Sequence, residues 1–312
     1  MKTNIATKLA DSFVIRDFSN VQTGTAMEPG VFCDDHAGWA LTPIAPRPIV
    51  KWAGGKRQLL QILNTAAPPD HGRYFEPFLG GGALFFSRRP DRATVSDANP
   101  ELVNCYLIVR DQINALMDDL ATHKNDEKYF YSIRAKNPAE MSEVARAGRF
   151  IYLNKTCFNG LYRENSEGKF NCPFGRYLNP TILDRSNLIA VHSYLKNADI
   201  RILCRDYREV ATDALAGDFV YFDPPYNPLT TTASFTKYLR SDFGEWQQRE
   251  LAALFRELTR KGVLAMLSNS NTQLIHDLYR GFDIHPIKAS RSINCKGTHR
   301  GRQMNEVIIR NY

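Results

Sequence analysis

The residues best suited to chemistry in this sequence are a carboxylate, two prolines and an aromatic ring in a row, Asp223-Pro224-Pro225-Tyr226. They close the apolar run Phe219-Val220-Tyr221-Phe222, which has the pattern of a short buried strand. Prolines cannot continue a central ladder, and each biases its predecessor away from helix. The tetrapeptide is therefore either a plain turn or a rigid mount. As a mount it would hold an acidic acceptor, a backbone carbonyl and a ring at fixed positions beside a planar substrate.

A second group lies earlier, in Glu76-Pro77-Phe78-Leu79-Gly80-Gly81-Gly82. Glycines let backbone approach a ligand that a Cβ would exclude, although a bare glycine triplet is equally a tight structural turn. Glu76 adds a carboxylate, and Asp97 follows the next strand-like run. In dinucleotide-type folds a carboxylate after the second strand accepts hydrogen bonds from a ribose diol. GxGxxG is absent, and "GGK" at 54–56 lacks the spacing of a phosphate-binding loop. A nucleoside without phosphates suits these residues better.

These blocks have companions in Lys51-Trp52-Ala53-Gly54-Gly55-Lys56, "FEPFLGGGALFF", Ser96-Asp97-Ala98-Asn99, "NGLYRENSEGKFNCPFGRY", "SFTKY" and "RSINCKGTHR". In this order they resemble the DNA adenine methyltransferases of the Dam family, over nearly all of residues 47–312. The resemblance implies a Rossmann-like α/β methyltransferase sheet dependent on S-adenosylmethionine, with an inserted, mainly helical DNA-recognition domain carrying a β-hairpin. Residues 46–124 and 200–312 would form the catalytic domain and 125–199 the insertion, with 1–45 an extension outside the resemblance.

The resemblance also implies roles. S-adenosylmethionine would be surrounded by Trp52, Gly54, Lys56, Glu76, Phe78, Gly80 and Asp97, would leave as S-adenosylhomocysteine, and would need no metal. Asp223, Pro224 and Tyr226 would be catalytic. Asp223 and the Pro224 carbonyl would each accept a hydrogen of the adenine amino group, favouring the pyramidal nitrogen that develops during transfer. Tyr226 would stack on a base flipped out of duplex DNA, since a stacked base cannot reach such a pocket. Lys51, Phe158, Asn159, Leu161, Arg163, Pro173, Arg291 and Ser292 would contact DNA, with Arg163 on a guanine edge and GATC the first-choice site. Glu164, beside Arg163, would either tether the guanidinium or deter a phosphate.

Several alternatives remain on these residues. DPPY-type sites also methylate a cytosine amino group or a protein side-chain amide. A DNA-binding module without catalysis, or an ATP- or NAD-using enzyme with an incidental DPPY, would carry some of the same features.

The elements that must position these groups follow from periodicity. "KWAGGKRQLLQIL" passes from a glycine turn into a short helix bearing Leu59, Leu60 and Leu63. "RILC", "DFVYF", "GVLAMLSNS" and "NEVIIRNY" are strand candidates. Leu251, Leu254, Phe255 and Leu258, at i, i+3, i+4 and i+7, mark an amphipathic helix over 245–260. Asn159-Gly160 and Glu167-Gly168 are turn signals, and Lys169-Phe170-Asn171 alternates like a short strand. The outcome is one α/β sheet domain interrupted by a smaller insertion.

Composition sets the outer limits. The 312 residues carry a formal net charge of +7, which favours an anionic partner. Between Lys124 and Arg205 there are 14 basic and 8 acidic residues, a local excess of +6. The six cysteines form no CxxC pair and the histidines no HxxxH, so free thiols and no zinc site are expected. A polar start and no 18-residue apolar segment predict a soluble cytoplasmic protein with no membrane partner. The resemblance implies double-stranded DNA as partner, and no obligate protein partner and a monomeric state are expected.

Overall fold

Strands buried on both faces decide the layout. The computed structural model describes residues 44–226, 243–290 and 303–312, with the side chains of 288–290 and 303–305 outside that description. Its strands are β1 (Tyr74–Glu76), β2 (Arg92–Ser96), β3 (Asp199–Leu203), β4 (Phe219–Phe222), β5 (Leu264–Ser270), β6 (Asp283–Ser290) and β7 (Gln303–Arg310). They form one sheet in the order β3-β2-β1-β4-β5-β7-β6. β1 to β5 pair in parallel, and β7 runs antiparallel between β5 and β6.

Successive strand residues point to opposite faces. Tyr74, Phe219, Tyr221, Met266 and Ile308 enter one core. Their neighbours Phe75, Val220, Phe222, Leu267, Val307 and Ile309 enter the other. The central strands are thus buried on both sides, which explains their near-continuous apolar runs. Helices supply each cover. On the first face these are α1 (Leu60–Ala66), α2 (Ala83–Arg88), α3 (Pro100–Asp111), α4 (Ile113–Thr122), α6 (Glu143–Thr156) and α7 (Arg185–Asn197). On the second they are α8 (Tyr207–Thr212), α9 (Glu245–Arg260) and α10 (Gln273–Leu278). The expected helix over 245–260 is α9, with Leu251, Leu254, Phe255 and Leu258 all buried.

The segment between α4 and β3 contributes to two cores. From α6 and α7, Phe150, Ile151, Leu188 and Val191 join the first sheet face. A small separate cluster joins Phe130 and Ile133 of α5 (Glu127–Ala135) to Tyr152, Leu153, Cys157, Phe170 and Cys172. The strand expected at Lys169-Phe170-Asn171 is reduced to one antiparallel bridge, Glu164–Phe170, with a second bridge at Cys157–Phe174. Turn-closing bonds explain the shortness: Asn165 N–H donates to Lys169 O at 2.9 Å, and Gly168 N–H to Asn165 O at 3.0 Å. The ladder ends as soon as the chain has reversed.

Candidate active site at the carboxyl ends of the strands

Strand order reverses between β1 and β4, the position in an open α/β sheet where ligands bind beyond the strand ends. Glu76 ends β1, Asp97 follows β2 and Asp223 follows β4. Three carboxylates from separate parts of the sequence therefore share one rim of the sheet.

The turn after β1 is fixed by its surroundings. Leu79 N–H donates to Ser96 O at 2.8 Å, and Gly80 N–H to the Asp97 carboxylate at 2.9 Å. The Tyr106 hydroxyl, from α3, donates to Gly80 O at 2.9 Å. Gly80 has φ +48°, and a Cβ there would lie 2.6 Å from Cδ1 of Trp52, so both conformation and space demand glycine. Trp52 in turn stacks on Tyr162 with ring centroids 5.7 Å apart. Asp97 also accepts Asn99 N–H at 2.9 Å, while the Asn99 side chain caps α3 ahead of Pro100. Burial raises the Asp97 carboxyl above its ordinary range, against these backbone donors.

Glu76 is 2% exposed and accepts the Tyr74 hydroxyl at 2.5 Å. Desolvation pushes its carboxyl up to about 8, opposed by the Tyr74 hydrogen bond and reinforced by the charge of Asp223. Phe78 stacks on Tyr207 at 4.9 Å and meets Phe243 edge-on at 5.6 Å, forming an aromatic wall.

The turn after β4 is held as tightly. The Lys56 ammonium, 4% exposed, lies 2.7 Å from the Asp223 carboxylate. It also donates to Gly54 O at 2.6 Å and sits 4.7 Å from the centre of the Tyr226 ring. Gly54, at φ +80°, lets the loop turn its carbonyl onto the ammonium. Pro224 is buried. The tethered carbonyl is that of Pro225, which accepts Nε2 of Gln248 at 2.9 Å, and Gln248 Oε1 accepts Nδ2 of Asn269 at 3.0 Å. The Tyr226 hydroxyl donates to Glu306 at 2.8 Å. Burial, then the charges of Asp223 and Glu306, raise that hydroxyl well above its usual range, so it stays a donor.

The loop residues from 158 onward meet the Lys51 loop through Asn154, which is 1% exposed. Its Oδ1 accepts Lys51 N–H at 2.8 Å, and its Nδ2 donates to Lys51 O at 2.8 Å and to Gly160 O at 3.0 Å. The Lys51 ammonium lies 4.6 Å over the Tyr177 ring. Phe158 is 41% exposed, and its N–H donates to Pro173 O at 2.8 Å. Asn159 adopts φ +58°, and Leu161 is half-buried beside the small cluster. Arg163 donates from Nε to Asn171 Oδ1 at 2.7 Å, while Glu164 accepts the Tyr162 hydroxyl at 2.5 Å. Asn171 is thus one tether of Arg163. Arg291 and Ser292 lie outside the described residues.

Glu306, Gln248, Asn269, Asn154 and Asn171 were not singled out by sequence. Two carried a signal. Gln248 stands three residues before Leu251, on the apolar stripe of α9, and Glu306 directly precedes the apolar run Val307-Ile308-Ile309.

A family model described as D12 class N6 adenine-specific DNA methyltransferase matches residues 52–293. The chain belongs to this family. It is an adenine-specific DNA methyltransferase, and membership implies dependence on S-adenosylmethionine. This methyltransferase is 43% identical over 272 residues to type II methyltransferase M1.LlaDCHI of Lactococcus lactis subsp. cremoris, covering 85% of this chain and 95% of the relative. Type II methyltransferase M.MjaIII of Methanocaldococcus jannaschii is 41% identical over 288 residues, covering 85% and 99%. The DNA adenine methylase of Haemophilus influenzae is 34% identical over 254 residues, covering 80% and 88%. Among the described residues no cluster of His, Cys, Asp and Glu could hold a metal ion, and no helix is long and apolar enough to cross a membrane.

Proposed function

We propose that the methyltransferase acts on the N6 amino group of adenine within GATC in duplex DNA, after flipping the base into the space between Asp223 and Tyr226. One observation carries this reading. A nitrogen bearing N–H groups, the Lys56 ammonium, already lies against the Asp223 carboxylate and over the Tyr226 ring. The adenine amino group needs the same two partners, a charged acceptor and an aromatic face.

The residues at the rim fit S-adenosylmethionine. Gly80 leaves no Cβ at the turn, and Asp97 is oriented by backbone donors that leave lone pairs for a ribose diol. Glu76, whose neutral form burial favours, and Lys56 offer polar partners to an amino acid moiety, and Trp52, Gly54 and Phe78 complete the enclosure. When bound, the donor supplies an electrophilic methyl on a sulfonium. The chain's own task is to orient the acceptor. Asp223 takes one amino hydrogen and the Pro224 carbonyl the other, which favours a pyramidal nitrogen whose lone pair is localised on N6 rather than shared with the ring. Tyr226 holds the base by stacking, worth about 1–3 kcal/mol in nucleic-acid sites. The N–C bond forms as the S–C bond breaks, and the surplus proton leaves N6 by way of the Asp223 carboxylate or water.

Residues 125–199 are the DNA-reading part in this proposal, and 46–124 with 200–312 the catalytic part. Lys51, Phe158, Asn159, Leu161 and Pro173 contact DNA, Arg163 reads a guanine edge, and Arg291 and Ser292 add phosphate contacts. The excess of +6 between Lys124 and Arg205 supports a phosphate-facing surface. The closest test is to incubate purified enzyme, S-adenosylmethionine and a chelator with unmethylated genomic DNA, then map modified bases by sequencing. N6-methyladenine confined to GATC is expected. Methylation at another motif removes the GATC assignment, and methylated cytosine removes the acceptor. Asp223→Ala should lower single-turnover transfer by roughly two to three orders of magnitude, an electrostatic loss of oxyanion-hole size, with DNA binding largely intact.

A further inference from the structure

Among the buried ionisable side chains of the described residues, Glu306 has no task in the chemistry above. Glu306 is 3% exposed in β7, paired in register with Ser270 of β5 and Ile287 of β6. Its strand neighbours Val307, Ile308 and Ile309 are fully apolar and buried. A carboxylate here carries a desolvation cost that Gln or Leu would largely avoid. Such conflicts between local preference and position concentrate at functional sites.

The contact it makes is specific. Its carboxylate accepts the Tyr226 hydroxyl at 2.8 Å. A tyrosine ring has two soft torsions, and fixing the hydroxyl to a strand fixes the plane of the ring. Hydrogen bonds to an ionised acceptor are about twice as strong as neutral ones. β7 lies inside the sheet, so the anchor cannot drift with a loop. The ring so held is the one that carries the Lys56 ammonium over its face at 4.7 Å. We infer that Glu306 is a positioning residue for methyl transfer, setting the plane of Tyr226 on which the acceptor base stacks. This rests on the acceptor reading above. Glu306 touches neither base nor donor in this role. It acts through Tyr226.

The test compares Glu306→Gln, Glu306→Ala, Tyr226→Phe and the double variant Tyr226→Phe/Glu306→Ala in single-turnover transfer on duplex DNA. Misplacing a reacting group by about 1 Å costs on the order of a hundredfold, so Glu306→Ala should slow transfer by about ten- to a hundredfold with donor Kd unchanged. Glu306→Gln keeps an acceptor oxygen and should restore most of the rate. Partners in one bond do not lose independently, so the double variant should be no slower than the slower single variant. A folded Glu306→Ala enzyme with wild-type rate overturns the inference. So do losses that multiply in the double variant. Should Glu306→Ala not fold, tyrosine labelled with ¹³C at Cζ gives a second reading. Glu306→Gln should shift the Tyr226 resonance, assigned with Tyr226→Phe, and an unmoved resonance overturns the inference. A wild-type enzyme that leaves adenine unmethylated sinks the functional reading with it. Transfer by the wild type alongside any of the contrary results sinks this inference alone.

Discussion

The turn after β1 and the reversal at residues 157–174 both bend through positive-φ positions, Gly80 and Gly82 in one, Asn159, Gly160 and Gly168 in the other. They are held differently. Around Gly80 the partners come from the sheet rim and α3: Ser96 O at the end of β2, the Asp97 carboxylate just after it and the Tyr106 hydroxyl. The later reversal has isolated bridges and local backbone bonds such as Asn165 N–H to Lys169 O, with Asn154 tethering Gly160 and Asn171 tethering Arg163. The proposed donor side thus leans on the sheet, whereas the proposed base-reading side is closed mainly within its own segment. The two meet at Trp52, which lies beside Gly80 and stacks on Tyr162.

Three experiments sharpen or break this contrast. The largest effect belongs to Glu76. Its carboxyl is raised from 4.5 to about 8 in the fold, so the neutral form is the one favoured by burial. A raised pKa contributes stability that is fully present below the unfolded value and is lost as pH rises through the folded one. The stability of wild type relative to Glu76→Gln should therefore fall between pH about 4.5 and about 8, by a few kcal/mol at roughly 1.4 kcal/mol per pH unit of linkage. Chemical denaturation across that range measures it, and parallel profiles would break the assignment. Next comes Gly80→Ala. A Cβ 2.6 Å from Trp52 at φ +48° should cost about 1–3 kcal/mol, appearing as weakened donor binding in calorimetry. An unchanged donor Kd would mean that this turn is as adaptable as the hairpin. The smallest and most selective effect is expected at Arg163. Arg163→Ala should relax discrimination against single-base variants of the site by about tenfold, with donor Kd unchanged. Asn171→Ala should move the same ratio less, since it loosens the guanidinium without removing it. Uniform loss of kcat/KM on every duplex would reassign Arg163 to the phosphate backbone.

The same contrast governs what the sequence disclosed. β4, β5, β7 and α9 were readable because their signal is local: apolar runs, or an apolar stripe with charges between. Asp97 was readable because a carboxylate after the second strand is a position, independent of any contact. β6 was not. Its sequence "DIHPIKAS" is broken by Pro286, which is tolerated because β6 lies at the sheet edge, where one N–H need not pair. The strand around Phe170 was overread, since alternation over a few residues cannot distinguish a ladder from a single bridge. The supports of the turn after β4 and of the Lys51 loop were invisible for another reason. Gln248 is 23 residues from Pro225, and Asn154 is 103 from Lys51. No pattern along the chain encodes a meeting across such distances. In Gln248 and Glu306 the only trace was a polar residue where the periodicity called for an apolar one.

The position of β7 has a consequence in time. Tyr226 and Glu306 are separated by 80 residues, and the strand carrying Glu306 must slip between β5 and β6. A ribosome adds about 5–20 residues per second, so the ring emerges roughly 4–16 s before its anchor. During that interval the growing chain carries the residues of β1, β2 and β4, with Glu76, Asp97 and Asp223, but not yet Glu306. On the inference above, the full rate of transfer waits for β7, the last strand of the described sheet to be synthesised.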